Sequence, residues 1–229
     1  YDPRFTKFLH ISASNKSKMS INANTISCFV EDKQGNIWIG TDGGGINFWN
    51  RKENTFSYFT ADANNHNHLT NNKVLAMMID QENTLWVGMW DGGINRFKII
   101  DNKLILTKRY EQLIPNVESS SSIFKIYQSR NGSIWIGTWK HGLFLYDKAQ
   151  DNFTQYPRKD KKVTIYPPSN NQSESLRLLF NENIMNLDED NIGQVWISTE
   201  SSGVYMIDNQ GNTIHYAYDK SIKNSYSNT

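Results

Sequence analysis

The chain has 229 residues, with 24 Lys and Arg against 23 Asp and Glu and a formal net charge of +1. That balance argues against a nucleic-acid binder, which carries a basic surplus gathered on one face. The single cysteine, Cys28, rules out an internal disulfide and zinc sites built from several thiolates.

The chain opens with Tyr1-Asp2-Pro3-Arg4, and no apolar export leader follows. Apolar runs stay far short of the ~20 residues that a membrane helix needs, so no membrane span is expected. Residues 1–9, with Phe5-Thr6-Lys7-Phe8, read as an outer strand whose partner strands do not precede it. Four segments then repeat one pattern: Gly35-Asn36-Ile37-Trp38-Ile39-Gly40-Thr41, Asn83-Thr84-Leu85-Trp86-Val87-Gly88-Met89, Gly132-Ser133-Ile134-Trp135-Ile136-Gly137-Thr138 and Gly193-Gln194-Val195-Trp196-Ile197-Ser198-Thr199. The tryptophans stand 48, 49 and 61 residues apart. Twelve residues before each is Ile26, Val74, Ile123 or Ile184; nine before is Phe29, Met77, Ile126 or Leu187. Seven after is always glycine (Gly45, Gly93, Gly142, Gly203), followed by an aliphatic residue.

Each repeat reads as four short strands, A to D. In the second, A is Val74–Ile79, B is Leu85–Met89, C is Ile94–Ile99 and D is Leu104–Tyr110. Asp80-Gln81-Glu82-Asn83 and Asp101-Asn102-Lys103 have turn composition. The glycine before strand C is expected at φ > 0 in a tight B–C hairpin. Strand A is apolar on both alternating sets, Val74/Ala76/Met78 and Leu75/Met77/Ile79, so it is expected between two packed sheets. A four-stranded meander repeated every 45–50 residues, with a buried first strand, is a β-propeller blade. The chain is therefore expected to be all-β, with four antiparallel blades at about 24–60, 72–111, 121–157 and 183–218. The strand-B tryptophans are expected to be core between blades.

The string from Glu31 to Phe48, with Trp38 and Asp42-Gly43-Gly44-Gly45, resembles the two-component regulator propeller repeat. The match recurs at Trp86 with Asp91-Gly92-Gly93-Ile94, at Trp135 with Gly142-Leu143, and at Trp196 with Gly203-Val204. The last copy departs, with Ser198 for a glycine and Ser201-Ser202 for a glycine pair. The resemblance implies a periplasmic sensor of a hybrid histidine kinase/response regulator of gut bacteria. It implies a larger protein with seven-bladed propellers, of which this is a fragment, and signalling prompted in many members by oligosaccharides. The expected partners are an oligosaccharide ligand and the remaining blades and domains of the sensor; no cofactor is expected.

In an antiparallel meander the B–C loops and D–A connections share one rim. The B–C loops vary: Asp42-Gly43-Gly44, Trp90-Asp91-Gly92, Trp139-Lys140-His141 and Glu200-Ser201-Ser202. Trp90 and Trp139 occupy one column in adjacent blades. Flat apolar faces beside amides and charges suit a sugar. The candidate ligand residues are Trp90, Asp91, Trp139, Lys140, His141, Asp42, Glu200, Asn72, Lys73 and Ser122. The bland alternative is packing of both tryptophans against loops or another domain. His66-Asn67-His68 and Asp188-Glu189-Asp190-Asn191 read as a loop and an ordinary turn rather than metal sites. Lys125, Asn186 and Asp188 interrupt apolar columns of strand A, facing the channel or a neighbouring blade. The insertion from Arg158 through Asn171 reads as a solvated loop or domain contact.

A rival reading is a propeller glycosidase or lyase, since Asp42, Asp91 and Glu200 share the rim and a glycosidase needs facing carboxylates. A third is a protein-interaction platform. Ser225–Thr229 reads as the approach to another strand A. An arc of this kind leaves an apolar face at each end, which two copies could cover by pairing into a homodimeric ring.

Overall fold

The computed structural model describes residues 10–14, 19–63, 65, 67–113, 121–157, 161–166 and 179–217. The expected strands at Phe5–Phe8 and Ser225–Thr229, as well as His66, lie outside the described residues. Seventeen strands and a single helical turn at 179–181 make up the regular structure of the described residues.

Four antiparallel meanders follow one another along the chain. The first is β1 (Ile26–Glu31), β2 (Ile37–Thr41), β3 (Gly45–Asn50) and β4 (Thr55–Phe59). The second is β5 (Val74–Ile79), β6 (Thr84–Met89), β7 (Ile94–Ile100) and β8 (Lys103–Tyr110). The third is β9 (Ile123–Gln128), β10 (Ile134–Thr138), β11 (Leu143–Asp147) and β12 (Asn152–Tyr156). The fourth sheet holds β14 (Ile184–Glu189), β15 (Val195–Thr199), β16 (Val204–Ile207) and β17 (Thr213–Tyr216), and it has a fifth member. β13 (Val163–Tyr166) pairs in parallel with the outer edge of β17, Val163 opposite Thr213 and Tyr166 opposite Tyr216. The insertion between the third and fourth blades is thus not wholly a solvated loop. Its Val-Thr-Ile-Tyr run has the β-branched and aromatic composition that covers an open sheet edge.

The cores lie between blades rather than within them. Trp38, Ile46 and Phe48 of the first blade pack with Val74, Met77, Leu85 and Val87 of the second. Trp86, Ile94 and Tyr110 pack with Ile123, Ile126, Ile134 and Ile136 of the third. Trp135, Leu143 and Tyr156 pack with Ile184, Leu187, Val195 and Ile197 of the fourth. Every seam therefore joins the strand-B tryptophan of one blade to strands A and B of the next, as the repeats predict. Each indole also donates Nε1–H into its own A–B turn: Trp38 to Asp32 (3.0 Å), Trp86 to Asp80 (2.8 Å), Trp135 to the hydroxyl of Ser129 (2.9 Å) and Trp196 to Asp190 (2.9 Å). The same aspartates accept backbone N–H groups of their turns, so one carboxylate closes the hairpin and orients the ring.

Strand A does not alternate simply. The register slips by one residue between Ile26 and Cys28, Val74 and Ala76, Ile123 and Lys125, and Ile184 and Asn186. This bulge turns the first residue of each strand over, so Val74 joins Met77 against the first blade while Ala76 faces the third. The expected grouping of Val74 with Ala76 and Met78 on one face fails for that reason. The bulged residues, Ser27, Leu75, Phe124 and Met185, form a column of their own.

Candidate functional site

The B–C hairpins are built on close backbone approach. Gly45, Gly93, Gly142 and Gly203 all have positive φ, where a Cβ is strained. A Cβ on Gly93 would lie 2.0 Å from the carbonyl oxygen of Tyr110, and one on Gly142 equally close to that of Leu179. In the first three blades the hairpin is tied to the next blade. The N–H groups of Gly45, Gly93 and Gly142 donate to the carbonyls of Asn72, Ser121 and Glu182. The B–C loops thus share a rim with the residues that precede strand A.

On that rim three aromatic rings meet. Trp90 and Trp139 have centroids 6.3 Å apart. Phe124 stacks on Trp139 at 5.3 Å with planes 22° apart, and meets Trp90 edge-on at 6.0 Å. All three are half-buried. Phe124 is the bulged residue of β9. Its place between the tryptophans follows from the bulge, which aims it out of the alternating pattern. The sequence reading did not include it; an aromatic at the second position of strand A was the available signal.

The polar candidates divide. Asp91 is exposed at φ 47° and flanks the rings. Its Oδ1 accepts from the Ser122 hydroxyl at 2.9 Å, and its N–H donates to the same hydroxyl oxygen at 3.0 Å. The N–H of Trp90 donates to the carbonyl of Lys73, and that of Trp139 to the carbonyl of Ser122. Lys140, exposed at φ 67°, is held by its N–H on the Asn183 side chain. The carbonyl of His141 accepts from Gln155. Asn72 is structural: its side chain accepts the Ala61 N–H at 2.6 Å, and its carbonyl holds the first hairpin. Asp42, one blade away from the rings, pairs its backbone with that of Lys73 in an isolated antiparallel β-bridge. Glu200 stays within the fourth blade, accepting from Asn183.

The interruptions of strand A also find places. Asn186 and Asp188 are exposed on the face of β14 equivalent to that which carries Ala76 and Met78 against a following blade. Asp190 serves its turn, and its carboxyl is held below the usual range by hydrogen bonds led by that of Trp196.

The fourth blade contains a serine, a histidine and a glutamate in proximity. Buried Glu182 accepts from the hydroxyls of Ser201 and Ser202. His215 Nε2, however, lies 2.6 Å from the carbonyl oxygen of Ser202, so that nitrogen carries a proton and donates away from the hydroxyl. The ring stacks on Tyr205 at 4.1 Å, and burial lowers its pKa. This arrangement orders a loop; it does not activate a nucleophile.

At the outer edge of the second seam, Asp151 accepts from Tyr110, Tyr146, Arg96 and Lys108. Burial opposes its ionisation, but these donors outweigh burial and hold the carboxyl well below the usual range. The cluster staples the second blade to the third.

Serial four-stranded meanders, packed strand A beside strand A with a core in every seam, define an arc of a β-propeller. Three of its segments, residues 20–43, 68–91 and 118–140, match the family described as "Two component regulator propeller". The chain is 23% identical over 201 residues to Histidine kinase P4 of Formosa agariphila, covering 88% of this chain and 13% of that protein. The fold is similar to the extracellular domain of the hybrid two component system BT3049 from B. thetaiotaomicron, with TM-score 0.69, 19% identity, and coverage of 95% of this chain and 25% of that one. It is also similar to virginiamycin B lyase from Staphylococcus aureus, with TM-score 0.55, 12% identity, and coverage of 85% of this chain and 56% of that one. The chain thus spans about an eighth of its curated relative.

Proposed function

We propose that this arc is the ligand-sensing part of an extracytoplasmic propeller in a hybrid two-component protein, and that its rim takes an oligosaccharide. The carrying observation is the platform of Trp90, Phe124 and Trp139, with the Asp91 carboxylate held on Ser122 and the exposed Lys140 next in sequence to Trp139. Half-buried rings give a sugar an apolar face to lie on, and these polar groups give its hydroxyls directional partners. The family resemblance supports the signalling role, a periplasmic location and onward coupling to a histidine kinase. The exposure of Ile26 (43%) and Phe29 (72%) supports further blades of the same ring, because the same columns are buried wherever a preceding blade covers them.

Calorimetry against a panel of neutral and acidic oligosaccharides tests the reading. Binding should weaken by about 1–3 kcal/mol in Trp139→Ala, the scale of a lost aromatic contact. Absence of heat with every sugar, or an unchanged affinity in Trp139→Ala, would overturn it. Analysis of the sugars after long incubation separates the enzyme reading: cleavage products would favour a glycosidase or lyase.

A further inference from the structure

On the rim opposite the platform, each seam ends between the A–B turn of one blade and the C–D turn of the next. In the first seam Asn36 Nδ2 donates across to Asn102 Oδ1 at 3.4 Å. In the third, the Lys161 ammonium donates to the carbonyl of Gln210 at 3.0 Å and the Tyr156 hydroxyl to that of Gly211, which leaves a cavity of about 230 Å³. The second seam is not closed in this way. Counted from the strand-B tryptophan, Thr84 stands where Asn36 does and Asp151 where Asn102 does, and no hydrogen bond joins them. A groove of about 680 Å³ remains between these turns, within the range of small-ligand sites. An exposed ion pair, Lys148 with Glu82, bridges its two sides.

The carboxylates of the groove are all committed. Asp80 accepts from its own turn and from Trp86. Asp151 accepts from Tyr110, Tyr146, Arg96 and Lys108, and Glu82 holds Lys148. Among its cations, Lys98 is exposed on β7 and makes no hydrogen bond or ion pair among the described residues. Arg96 adds an open donor. Its Nε donates to Thr107 at 3.3 Å and its Nη1 to Tyr146 and Asp151 at 2.9 and 3.2 Å. Its Nη2 has no partner among the described residues and is not enclosed by protein. Alternation along β7 puts Arg96 and Lys98 on one face, both lining the groove.

We propose that this groove is a second binding site, for a small organic monocarboxylate held by Lys98 and the open nitrogen of Arg96. A carboxylate only accepts, and both groups only donate. One uncommitted positive charge matches one negative charge. A dianion such as phosphate brings surplus charge towards Glu82 and Asp151 and is disfavoured. Tyr146, Thr107 and Asn131 also line the groove and offer a ring, a hydroxyl and an amide to the body of the ligand. The site is separate from the platform and does not depend on the oligosaccharide reading.

The test is calorimetry of the complete chain with benzoate and galacturonate, beside benzamide, galactose and inorganic phosphate. A carboxylate should bind at least tenfold more tightly than its neutral counterpart, and its affinity should fall as salt rises. Lys98→Gln should weaken it about fivefold with the thermal midpoint unchanged, since the side chain is exposed. Lys98→Arg should restore it. Glu82→Gln releases the Lys148 ammonium and should tighten binding severalfold. Lys52→Gln, exposed on the first blade, should change nothing. Absence of binding by both carboxylates overturns the site, as does equal binding of the neutral compounds. An unchanged affinity in Lys98→Gln, or the same loss in Lys52→Gln, overturns it too. Phosphate binding more tightly than either carboxylate overturns the match of single charges.

Discussion

A side chain on Gly40 would collide with Val74 of the next blade: its Cβ would fall 2.7 Å from Val74 Cγ1. The relationship recurs between Gly88 and Ile123 at 2.5 Å and between Gly137 and Ile184 at 2.6 Å. The strand-B glycine is therefore a socket for the first residue of the following strand A. Ser198 occupies the fourth socket. Gly88→Ala should cost about 1–3 kcal/mol through overpacking, and shortening Ile123 to Val or Ala should recover part of that loss. Ser198→Ala should change stability by less than about 0.5 kcal/mol. Urea unfolding of the four variants checks the set, and a neutral Gly88→Ala would contradict it.

The bond from Trp86 to Asp80 gives a second expectation. Asp80→Ala removes the indole's partner and the acceptor for the N–H groups of Glu82 and Thr84. The loss should be about 2–3 kcal/mol, the scale for hydrogen bonds to a charged group. Asp80→Ser should be milder, because the third blade already works with Ser129 in that position. Equal midpoints for the two variants in denaturant would show that the carboxylate has no special part.

Acid should weaken the second seam. The Asp151 carboxyl is depressed in the folded chain, so its contribution is present above the unfolded value near ~3.9 and is lost as pH falls through the folded value. The group is partly exposed, so Asp151→Asn should cost only about 1 kcal/mol at neutral pH. The gap between variant and wild type should narrow below about pH 4. A gap independent of pH would assign the loss to packing instead.

Cys28 lies against the first seam, and burial pushes its thiol up to about 12. Almost no thiolate exists near neutral pH, and the thiolate is the reacting form. Labelling by a thiol reagent should be slow in the folded protein and become fast on unfolding. Rapid stoichiometric labelling under native conditions would show that the seam opens.

Phe124 separates site from scaffold. Phe124→Ala should weaken any ligand that Trp139→Ala weakens, by about 1–3 kcal/mol. It should leave the thermal midpoint nearly unchanged, because the ring is only half-buried. Trp86→Ala, at a buried seam, should instead destabilise by about 3–5 kcal/mol. A ligand affinity indifferent to Phe124 would confine the platform to the two tryptophans.

The meanders were legible because each repeat restates the same constraints: a ring to fill the seam, an aspartate or serine to hold it, a glycine where backbones touch. The expected second-blade strands begin or end within a residue of those observed. What stayed hidden depends on register or on distant partners. One bulged residue in β9 decides where Phe124 points, and periodicity does not announce it. The parallel pairing of β13 joins residues 50 apart in sequence, from Val163 to Thr213, with no turn signal to mark it. The contact of Trp90 with Trp139 followed from a shared column.

Because each core lies in a seam, a blade is not a unit of stability: it is two half-cores back to back. The exposed Ile26 and Phe29 show half a core without its complement. An inserted or duplicated repeat brings one socket and one matching first residue, and so adds a seam without altering the others. Such an array can change its length by whole repeats while its rim loops diverge separately, one recognition surface at a time.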